Sequence, residues 1–423
     1  MRVLWISPNG GNYNKQPLKG TGGWICALQD AFNTFFPDVE LGIVFIGDDD
    51  LTIKDSESRT AYFSINSKSS HRFKDLFNNL RGNENYFEEL YASKILKVIS
   101  EYAPDIVHVW GIEHSLSAVI PYIKCPYVVH IQGLTSLYKY TYLPPFVSLR
   151  DLRRFDPWWS PSTLKKLFYH STQMDLWKIF QKKAERELRV SPYVKNWIGR
   201  TEWDKTAVRM ISPGSNYFHC EEIMRGDFSC NKWKYHFDGD KLYVQSSINE
   251  TWYKGIDIIL KTADILRKKE FSFEWNVYGV DPNSRILHYF EKQLKIKAME
   301  NGVIFKGRVP AQEIKQGLLH ADVYVHPSYI ENSSNAIAES MMMGVPTIAL
   351  YAGGNPSMLK DDSGVLVAVN EPFVLASEII SMSLKEKAEV YSSKSLVVAK
   401  QRQNTEKTVG NLVEIYKTII NNG

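Results

Sequence analysis

The chain has 423 residues, 44% hydrophobic and 23% charged, which is enough for two ordinary domains with a core each and excludes disordered and fibrous classes. Its 51 lysines and arginines against 47 acidic residues leave a formal charge of +4, too little to point to nucleic acid as the main partner. Four scattered cysteines, Cys26, Cys125, Cys220 and Cys230, form no Cys-x-x-Cys pair, so neither zinc nor an iron-sulfur cluster is expected and the thiols read as reduced and cytosolic.

Short runs rich in Val and Ile alternate with helix-length stretches, the pattern of parallel strands joined by crossover helices. In chain order the first half predicts strand Val3–Ser7, helix Thr21–Phe35, strand Gly42–Ile46, helix Tyr86–Tyr102, strands Ile106–Trp110 and Tyr127–Ile131, helix Gln173–Leu188 and strand Val208–Ser212. The second half predicts strand Leu242–Ser246, helix Gly255–Lys269, strand Glu274–Tyr278, helix Ser284–Ala298, strands Val303–Lys306 and Val323–His326, helix Asn335–Met343, strands Thr347–Leu350 and Gly364–Val367, and helix Lys407–Ile420. Two doubly wound α/β domains follow: residues 1–216, a linker over 217–240, and 241–406, with the last helix, 407–423, packing back on the first domain. The apolar run after Met1 stops at Pro8 and is too short for a secretory signal. The longest apolar stretch, Met341 to Leu350, falls far below the roughly 20 residues of a membrane span. A soluble cytoplasmic protein is the expectation.

The most informative segment runs from His326 to Pro346. It leaves a strand, crosses a polar loop holding Glu331, and enters a helix with Glu339 about one turn in. A helix amino terminus offers free backbone N–H groups and a positive dipole end, a natural seat for a diphosphate. Carboxylates accept paired sugar hydroxyls, so one on each side of such a seat suggests a nucleotide-sugar. Taken alone, two carboxylates eight positions apart are equally an ordinary solvated pair.

The succession Pro327-Ser328, Glu331, Glu339, Gly344-Val345-Pro346, Thr347–Leu350 and Gly353-Gly354 resembles the family 4 glycosyltransferases of the GT-B fold, the E-x7-E type. The variant Glu331-Asn332-Ser333-Ser334-Asn335 is similar to the branch of bacterial surface-polysaccharide pathways. The resemblance implies an α/β GT-B fold, two doubly wound Rossmann-like domains facing a cleft. It also implies a retaining, metal-independent enzyme of hexosyltransferase type that moves a sugar from a nucleoside-diphosphate donor to a carbohydrate acceptor. Glu331, His130 and Lys254 would be the catalytic residues, with Glu331 and His130 on the sugar and Lys254 on the leaving diphosphate. The helix start at Ser334, Asn335, Ala336 and Ile337 would seat the phosphates, and Glu339 the ribose. Gly22 and Gly23, in the glycine loop after the first strand, would approach the donor, and the backbone at Val309 would read the base, leaving UDP and GDP both open.

Two departures stand out. Where the family has a Gly-Arg pair before the lysine, this chain reads Ser246-Ser247-Ile248-Asn249, and Arg200 is the candidate substitute for the phosphate contact. After Gly353-Gly354, Pro356-Ser357 replaces Pro-Glu. Asp48-Asp49-Asp50 imitates a D-x-D metal motif but follows a strand of the wrong architecture and reads as solvated acid, so neither metal nor cofactor is expected. Between Arg150 and Arg189 ten basic residues meet five acidic ones, and the stretch 138–189 adds Phe146, Phe155, Trp158, Trp159, Phe168, Tyr169 and Trp177. It suits either peripheral contact with the inner membrane face, and hence a lipid-linked acceptor, or a core-lining insertion. Three rival functions remain: a GT-B-fold binding protein without turnover, an NAD-dependent oxidoreductase lacking its glycine fingerprint, and an epimerase whose acid and base are not evident.

Overall fold

In the computed structural model the described residues are 1–13, 23–55, 59–68, 84–155, 172–224, 228 and 232–422. The chain divides into two compact units. Unit 1 holds Met1–Ser136, Gln181–Arg225 and Asn404–Gly423; unit 2 holds Leu137–Phe180 and Gly226–Gln403.

The strands are β1 (Arg2–Ile6), β2 (Glu40–Ile46), β3 (Leu51–Lys54), β4 (Thr60–Ile65), β5 (Ile106–Trp110), β6 (Tyr127–His130), β7 (Asn196–Gly199), β8 (Asn216–His219), β9 (Leu242–Ser247), β10 (Phe273–Tyr278), β11 (Val303–Gly307), β12 (Val323–His326), β13 (Thr347–Leu350) and β14 (Val365–Val367). The longer helices are α1 (Gly23–Phe35), α2 (Glu84–Tyr102), α3 (Gln173–Val190), α4 (Glu202–Ile211), α5 (Ile256–Lys268), α6 (Arg285–Leu294), α7 (Ala311–His320), α8 (Asn335–Met343), α9 (Pro372–Ser381), α10 (Lys385–Arg402) and α11 (Thr405–Asn421).

Unit 1 contains an eight-stranded sheet in the order β3-β4-β2-β1-β5-β6-β7-β8, parallel except for β3 against β4. Its central strands are apolar on both faces, as a sheet covered by helices on each side demands. The last helix, α11, belongs to this core: Val409, Leu412, Val413 and Tyr416 are buried beside Trp5, Phe32 and Trp110. Tyr416 Oη accepts from Trp5 Nε1 at 3.1 Å and is hydrogen-bonded to His108 Nδ1 at 2.5 Å. Unit 2 contains a six-stranded, wholly parallel sheet, β11-β10-β9-β12-β13-β14.

Three expectations are corrected. Val208–Ser212 is the end of helix α4, not a strand. A reciprocal box at Thr201 and Asp204 caps that helix, and a short β-branched run cannot be told from a helix end by its apolar pattern. The chain does not leave unit 1 at residue 216, because β8 pairs in parallel with β7 and unit 1 continues to Arg225. Finally, Leu137–Phe180 belongs to unit 2. Tyr142, Val147 and Leu152 are buried in the unit 2 core, and Phe155 meets Trp252 edge-on at 5.5 Å. Part of the 138–189 stretch thus lines a core, while Tyr140, Phe146, Leu149, Leu176, Ile179 and Leu188 remain exposed. Trp158, Trp159, Phe168 and Tyr169 lie outside the described residues. Among those described, no helix is long and apolar enough to cross a membrane.

Tyr416→Phe strands two buried polar groups, Trp5 Nε1 and His108 Nδ1, and is expected to cost about 1–3 kcal/mol in urea unfolding. A neutral result would remove Tyr416 as the tie between α11 and the unit 1 sheet.

Candidate functional site

The order in which strands are added to the unit 2 sheet reverses between β9 and β12. The chain runs outward through β10 and β11 and returns on the other side through β12, β13 and β14. In an open parallel sheet such a reversal leaves a crevice at the carboxyl edge of the two strands where it occurs. The segment after β9 carries Lys254 and the segment after β12 carries Glu331.

Local backbone chemistry brings these segments together. A single 3-10 turn, Trp252–Lys254, ends at Gly255 with φ 75°. A Cβ at Gly255 would lie 2.0 Å from the carbonyl oxygen of Pro327, so only glycine permits this approach. The Tyr329 amide donates to the Tyr253 carbonyl at 2.8 Å. From the other side, Gly353 (φ 54°) would place a Cβ 1.9 Å from the Glu331 carbonyl oxygen, and the Gly354 amide donates to that oxygen at 2.8 Å. Behind the loop, Tyr329 Oη donates to Asp257 Oδ2 at 2.7 Å, which also accepts from Lys261 at 2.9 Å. The first turn of α5 is thereby bonded to the Glu331 loop.

At the centre, the Lys254 ammonium donates to Glu331 Oε2, and His326 Nε2 lies 3.2 Å from the same oxygen. The two charged side chains are only 12% and 14% exposed. Among the described residues Oε1 of Glu331 has no partner and stays available to a ligand. Burial by itself would raise the Glu331 pKa, but the charge of Lys254 and the hydrogen bond from His326 outweigh it and hold the carboxyl at about 2. Lys254 is likewise penalised by burial, yet the charge of Glu331 carries its pKa upward. Burial pushes His326 down against the pull of Glu331. At neutral pH the pair is therefore ionised and the imidazole neutral.

Glu331 is followed by the cap of α8. Ser334 Oγ accepts from the Ile337 amide at 3.4 Å, which leaves the amides of Asn335 and Ala336 without an intrahelical acceptor. Ile337 is fully buried, and Glu339, 5% exposed, faces the interior with partners of its own. Val309 is half-buried on the segment between β11 and α7, again at the carboxyl edge of the sheet.

The remaining residues singled out from the sequence lie in unit 1. His130 ends β6, 1% exposed, stacked at 4.6 Å on Trp110, with neither ring nitrogen hydrogen-bonded among the described residues. Burial, with His108 and Arg200 nearby, pushes its pKa far down and keeps it neutral. Arg200 is committed to a buried ion pair with Glu222 at 2.5 Å. Gly23 opens α1, while Gly20, Thr21 and Gly22 lie outside the described residues. Asp50 of the acidic triplet is paired with Lys94 at 2.7 Å, and among the described residues no cluster of His, Cys, Asp or Glu is arranged to hold a metal ion. Sequence reasoning passes over His326, Tyr329 and Asp257 as partners of the site. The one signal for them is their spacing: His326 five residues before Glu331, and Asp257 three after Lys254.

Two outcomes test this geometry. A carboxyl held low stabilises the fold fully above its ordinary value of 4.5 and loses that contribution as pH falls towards about 2. Wild type is therefore expected to lose unfolding free energy more steeply across that window than Glu331→Gln, and equal slopes would refute the ionised pair. Gly353→Ala is expected to lower stability by about 1–3 kcal/mol through backbone strain and its clash with Glu331, read by thermal melting.

Comparison with known proteins bears on the same region. Residues 240–384 match the family model described as glycosyl transferases group 1. Over 172 residues the chain is 27% identical to the putative colanic acid biosynthesis glycosyltransferase WcaL of Escherichia coli, covering 39% of this chain and 41% of that one. Relatives of this kind are covered over 26%, 41% and 63% of their length, less than two thirds in each case. Among solved structures, sucrose-phosphate synthase from Thermosynechococcus elongatus superposes with a TM-score of 0.69 at 14% identity over 100% of both chains. Anabaena HepE in complex with UDP-glucose gives 0.63 at 15% identity, over 99% of this chain and 100% of that one. The fold is thus GT-B, two Rossmann-like α/β domains built on largely parallel sheets, and its residues 240–384 are similar to the glycosyl transferases group 1 family.

Proposed function

We propose that this chain is a retaining glycosyltransferase of hexosyltransferase type, which moves a sugar from a nucleoside-diphosphate donor to a carbohydrate acceptor in polysaccharide biosynthesis and needs no metal ion. The observation that carries the reading is the Lys254–Glu331 pair at the sheet reversal, set just ahead of the α8 amino terminus inside the matched domain. Glu331 Oε1 is the acceptor for hydroxyls of the transferred sugar. Lys254 and the free amides of Asn335 and Ala336 neutralise the leaving diphosphate, helped by the helix dipole. Glu339 takes the ribose and the backbone at Val309 the base. Catalysis on this reading is electrostatic: fixed charges and dipoles stabilise the leaving phosphate and an oxocarbenium-like centre, and the phosphate itself assists in deprotonating the acceptor. The complexes of HepE with UDP and UDP-glucose support a uridine donor, and the name of WcaL supports a polysaccharide product.

One observation favours a second reading, a protein that binds the donor without turnover. The stretch Ser246–Asn249 supplies no cation: Ser246 is buried, donating to the Val325 carbonyl at 2.6 Å and accepting from Trp275 Nε1 at 3.0 Å.

Thermal melting with UDP, GDP, ADP, TDP and NAD, with and without EDTA, separates these readings from an oxidoreductase. A nucleotide bound to the folded state at 100 times its Kd adds about 2.7 kcal/mol. A shift with one nucleoside diphosphate, unchanged by EDTA, is expected and names the base; a shift with NAD alone overturns the proposal. Turnover then decides between enzyme and binder. Glu331→Ala is expected to lower kcat at least about tenfold, ~1.4 kcal/mol of barrier, and NMR of the new linkage should show the donor's anomeric configuration retained.

A further inference from the structure

Two donors converge on Glu331 Oε2, and they differ in kind. Lys254 reaches it on a flexible four-carbon stem and carries, among the described residues, the one positive charge within bonding distance. That charge is also what an incoming diphosphate would recruit. A carboxylate anchored by lysine alone would lose its anchor whenever an anion drew the ammonium away. His326 has no such freedom: it is the last residue of β12, 1% exposed, with its ring next to Tyr324 at 6.3 Å and 25° between planes.

We propose that His326 is a positioning residue for Glu331, held as the neutral Nε2–H tautomer that donates to Oε2 and leaves Oε1 free to accept from a ligand. The proposal deepens the transferase reading and rests on it for its consequence in turnover, but its structural half stands alone. The tautomer follows from what each nitrogen faces. Nε2 lies 3.2 Å from a carboxylate oxygen, and a lone pair there would be repelled, so that nitrogen carries the proton. Nδ1 is then an acceptor, and Tyr324 Oη stands 3.3 Å from it. The same hydroxyl has the Ser247 carbonyl at 3.4 Å as an alternative acceptor, so Tyr324 adjusts to the histidine rather than dictating to it. Among the described residues the ionisable groups around the imidazole are Glu331 itself, Lys254 and Tyr253 from the turn before α5, Tyr324 from β12, and Glu339 from α8. Burial and the nearby ammonium oppose an imidazolium. A neutral donor fixes the carboxylate without adding a second charge that would compete with Lys254.

Two experiments decide it. In nucleotide-free protein, 15N chemical shifts of the His326 ring should show a protonated Nε2 and an unprotonated Nδ1, unchanged from about pH 6 to pH 8, with the preference relaxed in Glu331→Ala. An Nδ1–H tautomer, or titration to imidazolium within that range, overturns the proposal without reference to catalysis. In the second experiment His326→Gln retains an N–H donor where Nε2 stands, and His326→Leu does not. With UDP-glucose or GDP-glucose, as the melting shift selects, kcat for donor turnover should fall at least about tenfold in His326→Leu. It should stay within about threefold of wild type in His326→Gln, with KM little changed in both. Equal losses in the two variants, or none in His326→Leu, overturn it. If wild type turns over no donor, the transferase reading fails while the 15N measurement still decides the positioning role.

Discussion

An ammonium and a carboxylate taken largely out of water lose several kcal/mol of hydration each, and their attraction returns it only when geometry is held and the remaining valences are met. The structure around Lys254 and Glu331 reads as the set of conditions that hold them. The order of strand addition must reverse between β9 and β12 so that two neighbouring central strands deliver the two residues to one edge. The backbones must touch, which demands glycine at 255 and 353. The strands beneath must be rigid, and Val323, Tyr324 and Val325 are fully buried, with Ser246 bridging Trp275 to the Val325 carbonyl. Packing, backbone conformation and charge are here one constraint seen at three scales.

A second buried carboxylate shows what the cation contributes. Glu187, fully buried in unit 1, accepts from the amides and hydroxyls of both Thr135 and Ser136. Burial raises its pKa and four neutral donors do not offset that, so it stands near 7. Glu331, with one ammonium and one imidazole, is held at about 2. Neutral donors satisfy a carboxylate's geometry, but it takes a full charge to keep it ionised in a dry site. Glu187 suits a structural clamp, joining α3 to the loop after β6, whereas Glu331 owes its ionised state to the ammonium beside it.

Much of this is legible in the sequence, and the failures are instructive. The strands β5, β12 and β13 and helix α8 coincide with their predicted bounds, because each is a dense apolar run between clear turn or cap signals. Lys254, Glu331 and the two glycines are adjacent to such signals and can be read in order. The partners of Glu331 cannot. His326, Tyr329 and Asp257 join the site through contacts between separate segments, and a pattern along one chain carries no information about which neighbour a side chain faces. The excursion Leu137–Phe180 escapes the sequence for the same reason: its aromatics look alike whether they meet a membrane, their own domain or the other unit. Arg200 reads as a phosphate ligand because it is a cation near a strand end, and only the placement of Glu222 shows that its charge is already engaged.

The absence of a cation in Ser246–Asn249 gives the Lys254–Glu331 pair its mechanistic weight. Counted together the pair is neutral, so a diphosphate arriving at it meets no net charge unless the ammonium turns from the carboxylate to the phosphate. On the transferase reading that exchange of partners is the binding event. Glu331 then faces the donor sugar as an uncompensated carboxylate, held by the neutral His326 and the backbone contacts at Gly353 and Gly354. A buried anion without its counterion is costly, and the cost is relieved as positive charge develops at the anomeric carbon. The electrostatic term would then be larger in the transition state than in the ground state, which is the condition for raising kcat rather than merely lowering KM. A chain with a second phosphate cation would bind the donor more tightly and lose part of that difference, so the departure at Ser246–Asn249 is compatible with turnover.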